Sequence, residues 1–146
     1  MNTLKNMMLA GLAWLMISPM YAQSAEESAG TPVPETFRMQ WNDSTVTMQK
    51  YFVVFLKAGP TRNHTKEEAE KIQQQHLDYL SEVYLQGHTS IAGPFAGDGE
   101  IRGIVIYNTA TVDQARALAE QDPAVQAGRL TVEVHPWWAA KGSKLK

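Results

Sequence analysis

The chain contains no cysteine. That absence excludes disulfides, a thiol nucleophile, thiolate metal sites and a lipidated cysteine at a processed N-terminus. Histidine is scarce. His64, His76, His88 and His135 include no pair spaced i,i+3 or i,i+4, so a metal site has no local framework and no metal is expected. Charge of one sign is also lacking: 13 Lys and Arg stand against 15 Asp and Glu, a net of −2. Without a basic stripe interleaved with aromatics, nucleic acid is not an expected partner. Gly93, Gly97, Gly99 and Gly103 have the wrong spacing for a phosphate loop or a dinucleotide turn, and no cofactor is expected. Asp98 lacks the repeated Asx neighbours of a calcium loop, and Gly97-Asp98-Gly99 reads as a hairpin turn. Ser90 lies between Thr89 and Ile91, outside any Gly-x-Ser-x-Gly elbow. If the chain catalyses anything, acid–base chemistry fits better than covalent catalysis.

Long apolar runs are missing as well. Met7 to Ile17 is apolar apart from Gly11, follows Lys5, and is followed by Ser18-Pro19 and Ala22. This is the pattern of a secretory signal peptide over 1–22, too short to span a bilayer; an uncleaved anchor is the competing reading. Loss of Lys5 with the leader leaves 12 bases against 15 acids, a net of −3. A periplasmic or secreted protein, free of the membrane after cleavage, is the simplest outcome.

What is present reads as one domain. Residues 23–48 form a flexible linker and an N-terminal arm, 49–140 the domain, and 141–146 a basic tail. In the arm, Phe37, Met39 and Trp41 alternate with polar residues and predict a short strand before a turn at Asn42-Asp43-Ser44. Tyr51–Lys57 and Ile101–Asn108 are apolar and β-branched, as in strands covered on both faces. Thr65 with Glu68, and Thr111 with Gln114, are capping boxes that open two helices, the first ending near Gln86 before Gly87. His88–Ala92 predicts a short strand, and Leu130–His135 a half-buried one before Pro136-Trp137-Trp138 closes the domain. The order β-α-β-β-α-β is ferredoxin-like, an α+β fold with both helices on one face of a four-stranded antiparallel sheet. Its other face, apolar in two strands, needs cover. A homodimer with facing sheets supplies it; a monomer shielded by residues 35–48 is the alternative. Trp137 and Trp138 then cover a sheet edge or the dimer seam, or stack on an aromatic ligand.

The run YFVVFLKAGP, His76 with Leu77 and Leu80, the AGPF segment with its Gly/Asp turn, Glu120-Gln121-Asp122-Pro123 and the terminal His-Pro-Trp-Trp together resemble the YciI-like (YCII-related) family over about Tyr51 to Trp138. The resemblance implies a dimeric α/β-barrel type of fold. It also implies a site at His76 and Asp122, while naming no reaction.

The residues themselves single out the same two positions. His76 falls at the centre of the apolar stripe Ala69, Ile72, Tyr79, Leu80 and Val83, and Asp122 falls on that of Ala115, Leu118 and Ala119. A core histidine bonded to a carbonyl, and an aspartate capping a turn that starts at Pro123, are the bland readings. The functional reading pairs them: Asp122 would fix the imidazole tautomer and leave the second nitrogen as a general base or acid for isomerisation, elimination or hydrolysis. One carboxylate oxygen can cap while the other accepts from His76. Arg62 and Arg102 are candidates for holding an anionic substrate, Ser90 for an auxiliary hydrogen bond, and His135 for lining a pocket. Non-catalytic ligand binding, or a purely structural dimer, are the alternatives on the same fold.

Overall fold

A long central strand organises the sheet. The computed structural model describes residues 32–145, so the expected signal peptide over 1–22, the first part of the expected linker and Lys146 lie outside the described residues. The elements are β1 (Thr36–Trp41), β2 (Ser44–Ala58), α1 (Lys66–Leu85), β3 (Thr89–Pro94), β4 (Ile101–Tyr107), α2 (Val112–Glu120), α3 (Pro123–Gln126) and β5 (Leu130–Ala140). All strand pairings are antiparallel. β2 carries β4 on one edge and β5 on the other, and β3 extends the sheet beyond β4. The four strands of the ferredoxin-like core therefore lie in the order β5-β2-β4-β3, with the helices on one face. The expected α+β architecture is the observed one.

β2 is longer than its apolar run. It begins at Ser44 rather than Tyr51, so the line drawn between 48 and 49 crosses the middle of a strand. The polar segment Ser44-Thr45-Val46-Thr47 is held extended by hairpin pairing with β1, through a turn in which Asn42 takes φ 51°. Met48 and Gln49 pair with both β1 and β5, which puts β1 on the same edge of β2 as β4. β1 thus extends the sheet in its own plane and does not fold across its open face. β5 likewise runs on through Pro136-Trp137-Trp138 to Ala140. Pro136 is tolerated because β5 pairs on one side only.

Alternation along β2 divides the sheet. Phe52, Val54 and Leu56 face the helices and join Val105, Tyr107, Ala115 and Ala119 in the buried core. Each large member stabilises the fold by about 1.5–3 kcal/mol relative to exposure. Tyr51, Val53 and Phe55 face the other way with Ile104, Ile106, His135 and Trp137, their cross-strand partners. On that face Trp137 is 44 % exposed.

Both capping boxes form as the sequence predicts, and Gly87 follows α1 with φ 79°. α2 ends at Glu120, and Asp122 caps α3 with Pro123 in its first turn. No helix among the described residues is long and apolar enough to cross a membrane.

Candidate active site

Two breaks in regular structure and one helix face build the site. α1 lays His76 and Val83 against the sheet, and His76 is only 9 % exposed. The chain must leave α2 before Pro123, whose missing N–H and fixed φ favour a new first turn there. Asp122 becomes the N-cap of α3, and its Oδ1 accepts from the Ala124 N–H at 2.8 Å. The second oxygen, Oδ2, lies 2.6 Å from His76 Nδ1. Asp122 is 1 % exposed. A carboxylate can only accept, so His76 carries its proton on Nδ1 and donates it to Asp122. Nε2 then has no hydrogen-bond partner among the described residues.

The surroundings bury the pair between helices and sheet. The Tyr79 hydroxyl, one helical step beyond His76, donates to the Leu118 carbonyl at 2.7 Å and ties α1 to α2. Burial, and next the nearby Asp122 charge, push the Tyr79 phenol above its ordinary range. Tyr107 beneath is raised further, again by burial first. Both phenols stay neutral: Tyr79 hydrogen-bonds to Leu118, and Tyr107 packs in the buried core.

His76 lines a cleft of about 690 Å³ between α1 and the β3–β4 side of the sheet. The cleft exists because β3 offers small side chains there: Ser90, Ala92 and Gly93 leave the gap under α1 unfilled. Its walls are mainly apolar, with Leu56, Leu77, Leu80 and Ile91 among them. Ser90 and Arg102 also line it. A second recess of about 340 Å³ adjoins it and shares Gln73, Arg102 and Leu130; Arg62 and Arg129 complete the basic lining.

Five of the six candidate residues from the sequence therefore border one continuous space or support its wall. His135 does not. It stands on the opposite face, its ring edge-on to Phe55 at 5.7 Å, with Nε2 donating to Glu133 Oε1 at 2.7 Å. That bond, and next one from Lys57, hold the Glu133 carboxyl below its usual range. Arg129 and Gln73 escaped the sequence reading. Arg129 is one residue past Gly128, which sits at φ 69°; Gln73 lies three residues before His76 on α1. Among the described residues no group of three or more His, Asp or Glu side chains is placed to share a metal ion.

The four-stranded antiparallel sheet with helices on one face is a fold of the ferredoxin-like, α/β-barrel type. Residues 51–138 match the YCII-related domain, and the chain belongs to that family. No curated protein sequence matches it. Among solved structures it is similar to 5-chloro-2-hydroxyhydroquinone dehydrochlorinase from Burkholderia phenoliruptrix in complex with 2,5-dihydroxybenzoquinone. The two are 22% identical, with a TM-score of 0.46, over 60% of this chain and 92% of that one.

Proposed function

We propose that this protein is a small-molecule enzyme in which His76 and Asp122 act as an acid–base pair. The observation that carries the reading is the 2.6 Å bond between Nδ1 and Oδ2 beside an open cleft. Asp122 orients the ring and stabilises the imidazolium that forms when Nε2 takes a proton. Nε2 abstracts a proton from a bound carbon acid or water and returns it to a neighbouring atom or a leaving group. Isomerisation, elimination and water-mediated hydrolysis all fit this cycle, and none requires a nucleophilic side chain. Ser90, at the cleft wall, is positioned to hydrogen-bond the substrate.

The test is turnover against a panel of lactones, halogenated acids and esters. His76→Ala is expected to lower kcat/KM at least 100-fold, and Asp122→Asn at least tenfold, in line with general acid–base contributions of about 10²–10⁴. Unchanged activity in both variants refutes the mechanism. The mainly apolar lining favours a second reading, non-catalytic binding of a small ligand, for which the same panel gives saturable binding without turnover.

Two further parts of the reading concern context. The open face, with Tyr51, Phe55 and Trp137, is covered by a second copy of the chain, and Phe55→Glu is expected to convert a dimer to a monomer in sedimentation; a wild-type monomer refutes this. The leader over 1–22 directs the protein to the periplasm or the medium, so N-terminal sequencing of the exported form should begin at Gln23.

A further inference from the structure

We infer that the recess beside the His76 cleft is an oxyanion subsite, formed by Arg62, Arg102 and Arg129, for the head group of an organic acid or ester of phosphoric acid whose apolar body occupies the cleft. The inference rests on the acid–base reading only for which end of the ligand reacts. The recess itself stands on separate observations.

Three arginines line one small space in a chain whose net charge is negative. Like charges gathered without counter-charges repel, and a fold keeps such a cluster where an anion is to be bound. Among the described residues, Arg62 and Arg129 make no ion pair. Arg129 Nη1 lies 3.5 Å from His64 Nδ1, which brings no negative charge. Arg102 has one distant carboxylate, the fully exposed Asp98, at 3.8 Å. Its Nε is buried and has no hydrogen-bond partner, unlike every other buried side-chain nitrogen or oxygen among the described residues. A donor left so costs stability unless something occupies the space beside it. A planar carboxylate, or one face of a phosphate, matches the Nε–Nη edge of guanidinium in a bidentate pair.

The backbone fixes this convergence. Gly59 donates to the Arg129 carbonyl at 2.8 Å and Thr61 to the Gly128 carbonyl at 3.0 Å, so the loop bearing Arg62 and the loop bearing Arg129 are stitched together. A side chain at Gly59 would come within 2.7 Å of the Arg129 carbonyl carbon. Arg102 enters from the start of β4 and lines both spaces, as does Gln73. Gln73 precedes His76 by three residues, a rise of about 4.5 Å. The recess and the cleft that holds His76 therefore adjoin along one wall of α1. That arrangement selects a ligand with a charged head group and an apolar body, and it rejects neutral molecules of the same shape.

The experiment is a binding titration with benzoate, inorganic phosphate and neutral benzyl alcohol, followed by NMR of the full mature chain at low salt. Benzoate is expected to bind at least tenfold more tightly than benzyl alcohol and to shift the Nε–H signal of Arg102. Arg129→Gln and the more exposed Arg62→Gln should each weaken benzoate at least fivefold, and Arg38→Gln, which removes one positive charge from the exposed strand β1, should leave it within twofold. Competition by phosphate assigns the subsite a tetrahedral head group; absence of competition assigns it a carboxylate. The inference is overturned if benzoate and benzyl alcohol bind alike, or if both arginine variants bind benzoate as the wild type does. Because benzoate is read by binding and not by turnover, failure of the acid–base reading leaves this result intact, and the converse also holds.

Discussion

Removing the Asp122 carboxylate tests whether one side chain serves both folding and the pair with His76. Its two oxygens make separate bonds, 2.8 Å to the Ala124 N–H and 2.6 Å to His76 Nδ1. In Asp122→Ala the lost cap costs about 1 kcal/mol. The buried imidazole N–H left without an acceptor adds about 1–3 kcal/mol. The sum, about 2–4 kcal/mol, approaches the ~3–5 kcal/mol found when one member of a buried charged pair is deleted. Asp122→Asn keeps the cap, since asparagine caps as well as aspartate, and should cost only about 1–2 kcal/mol. Urea unfolding of the wild type, His76→Ala, Asp122→Ala and the double variant closes a cycle, with an expected coupling of about 1.5–3 kcal/mol. A second readout is the imidazole tautomer, seen by long-range proton–nitrogen NMR. The wild type should carry hydrogen on Nδ1. In Asp122→Asn the amide oxygen stays with Ala124 and the NH₂ faces His76, so the ring must change to the Nε2–H form. A coupling below about 0.5 kcal/mol, within the error of independent sites, refutes the reasoning. So does a wild-type ring protonated on Nε2 alone.

Gly59→Ala is expected to lower stability by about 2 kcal/mol or more, read as a drop in Tm, because the new methyl group meets the Gly128 and Arg129 backbone rather than a side chain that can turn away. An unchanged Tm shows that the two loops separate easily. The part of the stability linked to the buried phenols should be level up to about pH 10 and fall above it. The folded state holds protons on Tyr79 and Tyr107, whose phenols are raised from 10.0, while the unfolded chain releases them near that value. Tyr107→Phe, measured by urea midpoints across about pH 8 to 11, should flatten the decline; an equally steep decline refutes the assignment.

The legible parts of the fold were those decided by local rules. Both capping boxes, the Gly87 terminus and the two apolar strands follow from side chains within a few residues of one another. The placement of His76 and Asp122 was legible for a related reason: a polar residue on an apolar helical stripe has to be paired. The N-terminal half of β2 was harder to read, because Ser44-Thr45-Val46-Thr47 buries little and is held by the hairpin with β1. Pro136 concealed the second half of β5, since a proline normally ends a strand that is paired on both sides. His135 was assigned correctly to the polar side of its strand, but alternation cannot say whether that side borders a cavity. The cleft was out of reach altogether. It depends on how far α1 stands from β3, which small residues on one element and long ones on another decide jointly.

Regular structure contributes little of the site's chemistry. His76 comes from the middle of a helix, but Asp122 is delivered by a helix that stops and restarts. Had α2 continued, a carboxylate at that point would face the negative end of the helix dipole. The restart at Pro123 makes the same residue an N-cap, where N–H groups favour its charge, and points its free oxygen at His76. The arginines repeat the arrangement. Arg62 and Arg129 lie on loops whose separation is set by the Gly59–Arg129 and Thr61–Gly128 backbone bonds, and Arg102 begins a strand beside a register shift between Leu56 and Lys57. A loop built this way can change its side chains without disturbing the sheet. The His76–Asp122 pair cannot change so freely, because altering Asp122 also removes the cap that restarts the helix. The two halves of the site are therefore constrained differently: the His76–Asp122 pair by folding, and the arginine-lined recess by loops that leave its side chains free.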